Sequence, residues 1–409
     1  MSAAPTGRRS LRQNLRGLPR PTRVLFIGAF VNRLGTFVLP FITLYLTHRG
    51  YSVQQAGLGL AAYGVGAIGA QGVGGLLADR FGRRNTIALS MLGGAAFTLS
   101  LIWVNGLVGI IVVVVLLGFV AELYRPASSA LIADLVAPEA RVAAFSAYRL
   151  SLNAGWAAGL ALGGILAEHS YTWLFIGDAT SSIVFAVVAL TSLPHGVRTT
   201  RHEERRRGHA TAGSSIAADH AFLLILGAVF LTAAVFMQNA GTFALYVTDH
   251  LHFSTKTYGF LEALNGVIVV AFELPISAWT QHRERTRMIA LGAALIGAGF
   301  AVLAFVGALP GLLLMVVVWT LGEIVESPAT SAFVADRAPE HARGRYQGAL
   351  GMMYAAAAVA SPLIGTTIYH VSPTALWLGC GGVGLVAASL ALRAGRSGVR
   401  VRDGEPLSG

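Results

Sequence analysis

Long runs of Ala, Gly, Val, Leu, Ile and Phe alternate along this chain with short polar breaks. Bilayer hydrocarbon is about 30 Å thick and a helix rises about 1.5 Å per residue, so a crossing needs roughly 20 mostly apolar residues. Twelve segments meet that rule, at 22–47, 54–78, 86–104, 107–131, 142–168, 171–193, 220–249, 256–280, 288–307, 311–335, 343–369 and 373–393. Hydrocarbon offers no partner to exposed N–H and C=O groups, so each span is expected to be helical. The first is longer than a signal peptide's apolar region and no small-residue cleavage site follows it, so it is expected to be retained.

The spans fall into two sets of six. Residues 194–219, with Arg198, Arg201, Arg205, Arg206 and Arg207 among Gly, Ser, Thr and His, form the one long polar linker. It separates an expected bundle at 22–193 from a second at 220–393, with an N-terminal segment at 1–21 and a tail at 394–409. The halves also repeat. Pro126-Ala-Ser-Ser-Ala-Leu-Ile-Ala-Asp134 in span four matches Pro328-Ala-Thr-Ser-Ala-Phe-Val-Ala-Asp336 in span ten at an offset of 202, and Leu44-Tyr45-Leu46-Thr47 returns as Leu245-Tyr246-Val247-Thr248 at 201. Two such halves, related by an axis along the membrane normal, enclose a cavity at their interface.

Composition agrees with a membrane location: 55% of the 409 residues are hydrophobic and 12% charged, against about a quarter charged in soluble proteins. The formal charge of +11 reports topology rather than nucleic-acid binding, because 25 of the 30 basic residues fall in segments on one side if both termini are cytoplasmic. The opposite loops hold Arg49 and Lys256, and Arg33, Arg125 and Arg149 lie within spans. A single cysteine, Cys380, excludes an internal disulfide framework and a cysteine-based zinc site. Arginine outnumbers lysine 29 to 1, which points to a GC-rich genome and a bacterial plasma membrane.

The loop after span two reads Gly75-Leu-Leu-Ala-Asp79-Arg80-Phe-Gly82-Arg83-Arg84. With the twelve spans and the repeat, it resembles the major facilitator superfamily over essentially the whole chain. The resemblance implies an all-α fold of two pseudo-symmetric six-helix bundles working by alternating access, with Gly75, Asp79, Arg80, Gly82, Arg83 and Arg84 in a cytoplasmic gate. Carboxylate and guanidinium groups suit a gate, since their charge-assisted bonds can break and re-form as the halves rock. The matching loop of the second half, Ser277 to Arg287, has Gln281 where Asp79 would map. Span five, with Gly155, Gly159, Gly163 and Gly164, resembles the glycine-rich helix of proton-driven antiporters, and plain close packing of helices is an equal reading of glycines four apart. The family's proline there is Leu160, and Val114 holds the place of its fourth-span arginine. Span ten, Gly322-Glu323-Ile-Val-Glu326-Ser327-Pro328, is similar to drug exporters and to proton-coupled oligopeptide transporters. The peptide group's first-span glutamates are Ala29 and Asn32 here, and its arginine is kept as Arg33.

Ionisable groups at mid-membrane cost at least about 2.5–3.5 kcal/mol and are retained where they pair or function. The spans contain Arg33, Glu122, Arg125, Arg149, Asp178, Glu262, Glu273, Glu323 and Glu326. Glu323 and Glu326, at i and i+3, are expected on one face as a site for a proton and a cationic substrate, or else one of them pairs with Arg33 or Arg125 as a lock. Glu122 and Arg125 have the same spacing and are expected to bridge first and contact substrate second. Arg33, beside Asn32, is expected to face the cavity. Asp178 is read as a structural hydrogen-bonding group, and Glu262 and Glu273 stay unassigned. Phe37, Tyr124, Gln238, Asn239, Phe243 and Trp319 are expected to line a cavity for an amphipathic molecule, because aromatic faces attract organic cations.

Gly64-Val-Gly66-Ala-Ile-Gly69 fits a dinucleotide fingerprint but lies inside an apolar span, His202-Glu203-Glu204 lacks a zinc helix's second histidine, and there is no Walker sequence. The protein is therefore expected to be a transporter and no enzyme, monomeric, without metal or cofactor, driven by a proton gradient, and in contact with protons, lipid and a small-molecule substrate but no nucleic acid. Export of lipophilic cations by antiport is favoured by the span-ten acids; Leu160 and Val114 weigh toward the alternative, uptake of a small metabolite or peptide by symport.

Overall fold

A computed structural model describes residues 17–137, 141–194, 219–280, 283–338 and 343–402. Most of the linker, with its arginines and His202-Glu203-Glu204, lies outside the described residues, as do 1–16, Gln281, Pro339 and 403–409. A helix forms at each of the twelve expected places: α1 (Arg20–Leu34 and Val38–His48), α2 (Val53–Phe81), α3 (Arg83–Ser100), α4 (Leu107–Glu122 and Tyr124–Leu135), α5 (Arg141–His169), α6 (Tyr171–Ser192), α7 (from His220–Phe236, in short pieces to His250), α8 (Thr255–Thr280), α9 (Arg285–Val302), α10 (Leu309–Arg337), α11 (Arg343–Val371) and α12 (Pro373–Arg402). Among the described residues nine are long and apolar enough to cross a membrane, and a tenth if the bent α2 counts as one span. The two that fall short have polar content with places to go. Helix α3 begins Arg83-Arg84-Asn85, and α8 carries Lys256, Glu262, Asn265 and Glu273, of which Glu262 and Asn265 are buried. Helix α12 runs to Arg402, past the expected end at 393.

Three helices break, each for a readable reason. Pro40 has no N–H to give to the carbonyl of Thr36, so α1 stops at Leu34 and restarts at Val38, where a proline in the first turn costs nothing. Pro126 likewise leaves a gap in α4, and Ser90 on α3 repairs it: its hydroxyl donates to the Val120 carbonyl (2.7 Å) and accepts from the Tyr124 N–H (3.2 Å). In α7 a 3₁₀ turn at Met237–Asn239 leads into Gly241 before the helix resumes.

The internal repeat recurs as geometry. The Tyr45 hydroxyl donates to the Leu101 carbonyl at 3.0 Å, and Tyr246, 201 residues on, donates to that of Leu303 at 2.9 Å. Arg83 pairs with Asp134 at 3.3 Å; Arg285 and Asp336, each 202 residues later, pair at 3.7 Å.

The halves meet through α5 against α8 and α2 against α11. At the end bearing His48 and His250 one apolar cluster runs through both, joining Phe37, Phe41 and Leu160 to Phe243, Tyr258 and Trp319. At the end bearing Asp79 each half keeps its own core, around Leu25, Ile87 and Phe185 in one and Phe222, Ile289 and Ala391 in the other. The seam splays accordingly. A methyl placed on Gly57 of α2 would sit 2.8 Å from the Pro362 carbonyl of α11, whereas one on Gly75, or on Gly348 or Gly351, would meet nothing. Among the described residues the halves are closed at the His48 end and open at the Asp79 end.

Candidate functional site: a polar cavity in each half

The first-half cavity, of about 40 Å³, is walled by Asn32, Arg33, Tyr63, Ser90, Glu122, Tyr124, Asp178 and Ser182 among others. The spacing of Glu122 and Arg125 on α4 brings them together as an ion pair, and Glu122 also accepts from the Tyr63 hydroxyl (3.0 Å). Asn32 donates to Ser182 Oγ (3.1 Å). The half-buried guanidinium of Arg33 stands over the Trp156 ring, 5.5 Å from its centre. Asp178 caps the restarted piece of α1, accepting from the N–H groups of Phe37 (3.1 Å) and Val38 (3.3 Å) through one oxygen. That is the structural use read from the sequence, at a break the carboxylate itself closes.

The second-half cavity, about 180 Å³, is lined by Glu323, Glu326, Ser327, Phe236, Met237, Tyr354 and four smaller side chains, none of them basic. Glu323 accepts from Asn265 Nδ2 (2.9 Å), and buried Glu326 from Thr330 Oγ1 (2.6 Å). The cavities correspond through the repeat, since Thr36, Gly94 and Tyr124 line the first and Ile296 and Glu326, both 202 residues on from the latter two, line the second. Asn265 is likewise the counterpart of Tyr63, so each half uses a polar side chain on one helix to hold an acid two helices further along the chain. Both were missed as site residues; polar residues at equivalent positions of two apolar spans were the available signal.

The remaining expectations separate. Tyr124 lines the first cavity, but Phe37, Phe243 and Trp319 are at most 2% exposed within the shared apolar cluster, and Trp319 packs against Phe236 and Phe300. Gln238 is occupied by Ser361 (2.8 Å) and Thr242 (2.7 Å), and Asn239 offers its carbonyl to Tyr258 (3.2 Å). None of these five lines either of the two cavities in this conformation. Arg33 and Arg125 are engaged with Trp156 and Glu122, and neither lines the cavity of Glu323 and Glu326.

In the loop motif Arg83 is buried and binds Asp79 (2.9 Å), Asp134 (3.3 Å) and the Ala78 carbonyl (3.0 Å), all in its own half, as an open gate requires. Gly82 joins α2 to α3 at φ +88°, a conformation that favours glycine, Arg80 is exposed, and Arg84 reaches the Leu190 carbonyl (3.4 Å). The span-five glycines are contact points. Gly155 and Gly159 lie against the backbone of α1 at Phe30 to Leu34, Gly163 against Phe37 and Phe41, and Gly164 against Gly259 of α8. Arg149 of α5 pairs with Glu273 of α8 across the seam. Among the described residues no three His, Cys, Asp or Glu side chains gather as a metal site.

Two repeat-related bundles, joined at one end and parted at the other, with acids in a membrane-embedded cavity, define a membrane transporter. The chain belongs to the Major Facilitator Superfamily, whose family model matches residues 25–246 and 224–406. It is 28% identical over 354 residues to the uncharacterized MFS-type transporter YttB of Bacillus subtilis (strain 168), covering 85% of this chain and 88% of the relative. A Na(+), Li(+), K(+)/H(+) antiporter of Planococcus maritimus is 25% identical (92% and 94% covered), and the multidrug resistance protein MdtH of Aeromonas hydrophila 27% (77% and 79%). The fold matches a crystal structure of a POT family transporter in complex with a thioalcohol-conjugated peptide, with a TM-score of 0.78 over 94% of this chain and 99% of the other, at 15% identity.

Proposed function

We propose that this transporter is a proton-driven exporter of lipophilic organic cations, set in a bacterial plasma membrane as a monomer with its Asp79 end and both termini in the cytoplasm. The observation that carries the reading is that Glu323 and Glu326 line one cavity with Phe236 and Tyr354 and with no basic residue. Carboxylates draw a cation, aromatic rings hold its apolar body, and a proton on either acid expels it, so proton and cargo compete for one place. Rocking of residues 22–193 against 220–393 would present that place to each side in turn, with Asp79 and Arg83 re-pairing as the open end closes. Relatives named as a cation/proton antiporter and a multidrug resistance protein support exchange and export.

Proteoliposomes with an imposed pH gradient and a panel of organic cations test it. Cations should move against the proton flow, and Glu323→Gln and Glu326→Gln should each abolish gradient-driven movement while leaving the protein folded. Movement of solutes with the protons would replace export by symport, and wild-type accumulation in both variants would remove the acids from the site.

A further inference from the structure

Glu262 is the buried acid that neither cavity uses. It lies on α8 between Gly259 and Gly266, the two glycines that let α8 approach α5 of the other half. It is 2% exposed, and its Oε1 is fully buried without a hydrogen-bond partner. One turn away, Tyr258 is wholly buried and spans the seam: its hydroxyl lies 3.4 Å from the Pro40 carbonyl of the other half and 3.2 Å from that of Asn239, and its ring packs edge-on to Phe41. Glu262 therefore sits behind the seal of the closed His48 end.

We propose that Glu262 is a conformationally gated proton-binding site: the His48 end closes over it when it carries a proton, and opening that end lets it exchange the proton with the water on that side. The charged and titratable groups around it are few. From α10 Glu323 interacts with it electrostatically, on α8 its neighbour is Tyr258, and Arg149 of α5 is committed to Glu273; the α1 residues that meet Tyr258, Pro40 and Phe41, carry no charge. Among the described residues no cation answers an ionised Glu262 when the end is shut, and Glu323 would repel it. Ionised, Glu262 opposes closure, because a bare carboxylate would be sealed away from water. Neutral, it lets the halves meet. Asn265 holds Glu323 three residues further along the same helix, so a proton admitted at the closed end lies one acid from the second-half cavity. This deepens the proton-driven reading and rests on it for the source of the proton, but conformation alone can test it.

The experiment places spin labels at His48→Cys and Asp249→Cys, exposed positions at the closed end of opposite halves, in a Cys380→Ala background in lipid nanodiscs. Distances are measured by double electron–electron resonance from acid to alkaline pH, without substrate. The ratio of open to closed end should rise with pH, by up to about tenfold per pH unit for a single proton. Glu262→Gln should keep the end closed and flatten the curve, whereas Tyr258→Phe should raise the open fraction at every pH and preserve the slope. If the Glu262→Gln curve follows the parent, or the parent shows no pH dependence, the proposal is wrong. If Glu262→Gln does not fold, Glu262→Asp must shift the curve along the pH axis, and an unshifted curve is equally fatal. Organic cations that fail to move in liposomes would remove the export reading and leave this result standing.

Discussion

Removing the Asp178 carboxylate should loosen the first bundle at the break in α1. The Phe37 N–H also meets the Gly35 carbonyl (2.9 Å), so the donor left without a protein partner once Asp178 is gone is the Val38 N–H, at a residue 5% exposed. A buried donor left unsatisfied costs about 1–3 kcal/mol, so Asp178→Ala should destabilise by about that much. At about 2–4 °C per kcal/mol for a unit of 150–250 residues, the smallest expected fall in melting temperature is about 2 °C. Asp178→Asn keeps a carbonyl oxygen that can stand where the one accepting oxygen stood, and should lose less. The protein provides its own reporter. Cys380 is the single cysteine, 5% exposed, and belongs to the same apolar cluster as Phe37, so its reaction with a maleimide dye in detergent follows loss of that cluster. Coincident melts for Asp178→Ala and the parent, within about 1 °C, would refute the capping argument.

A side chain at Gly259 should prop the closed end apart, because a Cβ there would lie 2.5 Å from the Leu160 carbonyl and 2.9 Å from the Gly164 Cα, backbone atoms that cannot yield; Gly259→Val should lengthen the distance between labels at 48 and 249. Arg149→Glu would set two carboxylates against each other across the seam and should slow transport by about tenfold or more, with activity returning when Glu273→Arg is added. The same pair, with side chains 53% and 25% exposed, should add at most about 1 kcal/mol to stability. Asp219 lies outside the spans, where it caps α7 and is bound by Arg337 (2.7 Å) and Tyr346 (3.0 Å). Burial raises its carboxyl, but the Arg337, Phe222 N–H and Tyr346 bonds outweigh that and hold it below the ordinary carboxylate value. Its stabilisation is thus complete above about pH 4 and disappears as pH falls through the depressed folded value. The stability gap between the parent and Asp219→Asn should stay constant near neutrality and shrink below about pH 4.

Local spacing made some of the site legible before any tertiary information. Glu122 and Arg125 pair because i and i+3 share a helix face whatever surrounds it, whereas a proline alone does not foretell a break: Pro126 sits beside one, and its repeat counterpart Pro328 lies inside the continuous α10. Asp178 could be read as a hydrogen-bonding group but not assigned its donors, which are 140 and 141 residues away. The aromatic residues show the limit. Phe243 and Trp319 suit a cavity wall or a packed core equally well, and their burial depends on how α7 and α10 are turned about their own axes.

The sequence by itself determined the helical spans, their grouping in two repeated halves and the stock of embedded charge, since bilayer thickness and backbone hydrogen bonding leave a long apolar segment no other structure. Tertiary structure alone decided which end is shut, that Glu323 and Glu326 share a cavity, and that Glu262 lies behind the seam while Glu273 bridges it. A helix apolar on nearly every side carries little periodic mark of the face it buries, so its rotation is set by the close approach of glycines on a neighbour distant in the chain.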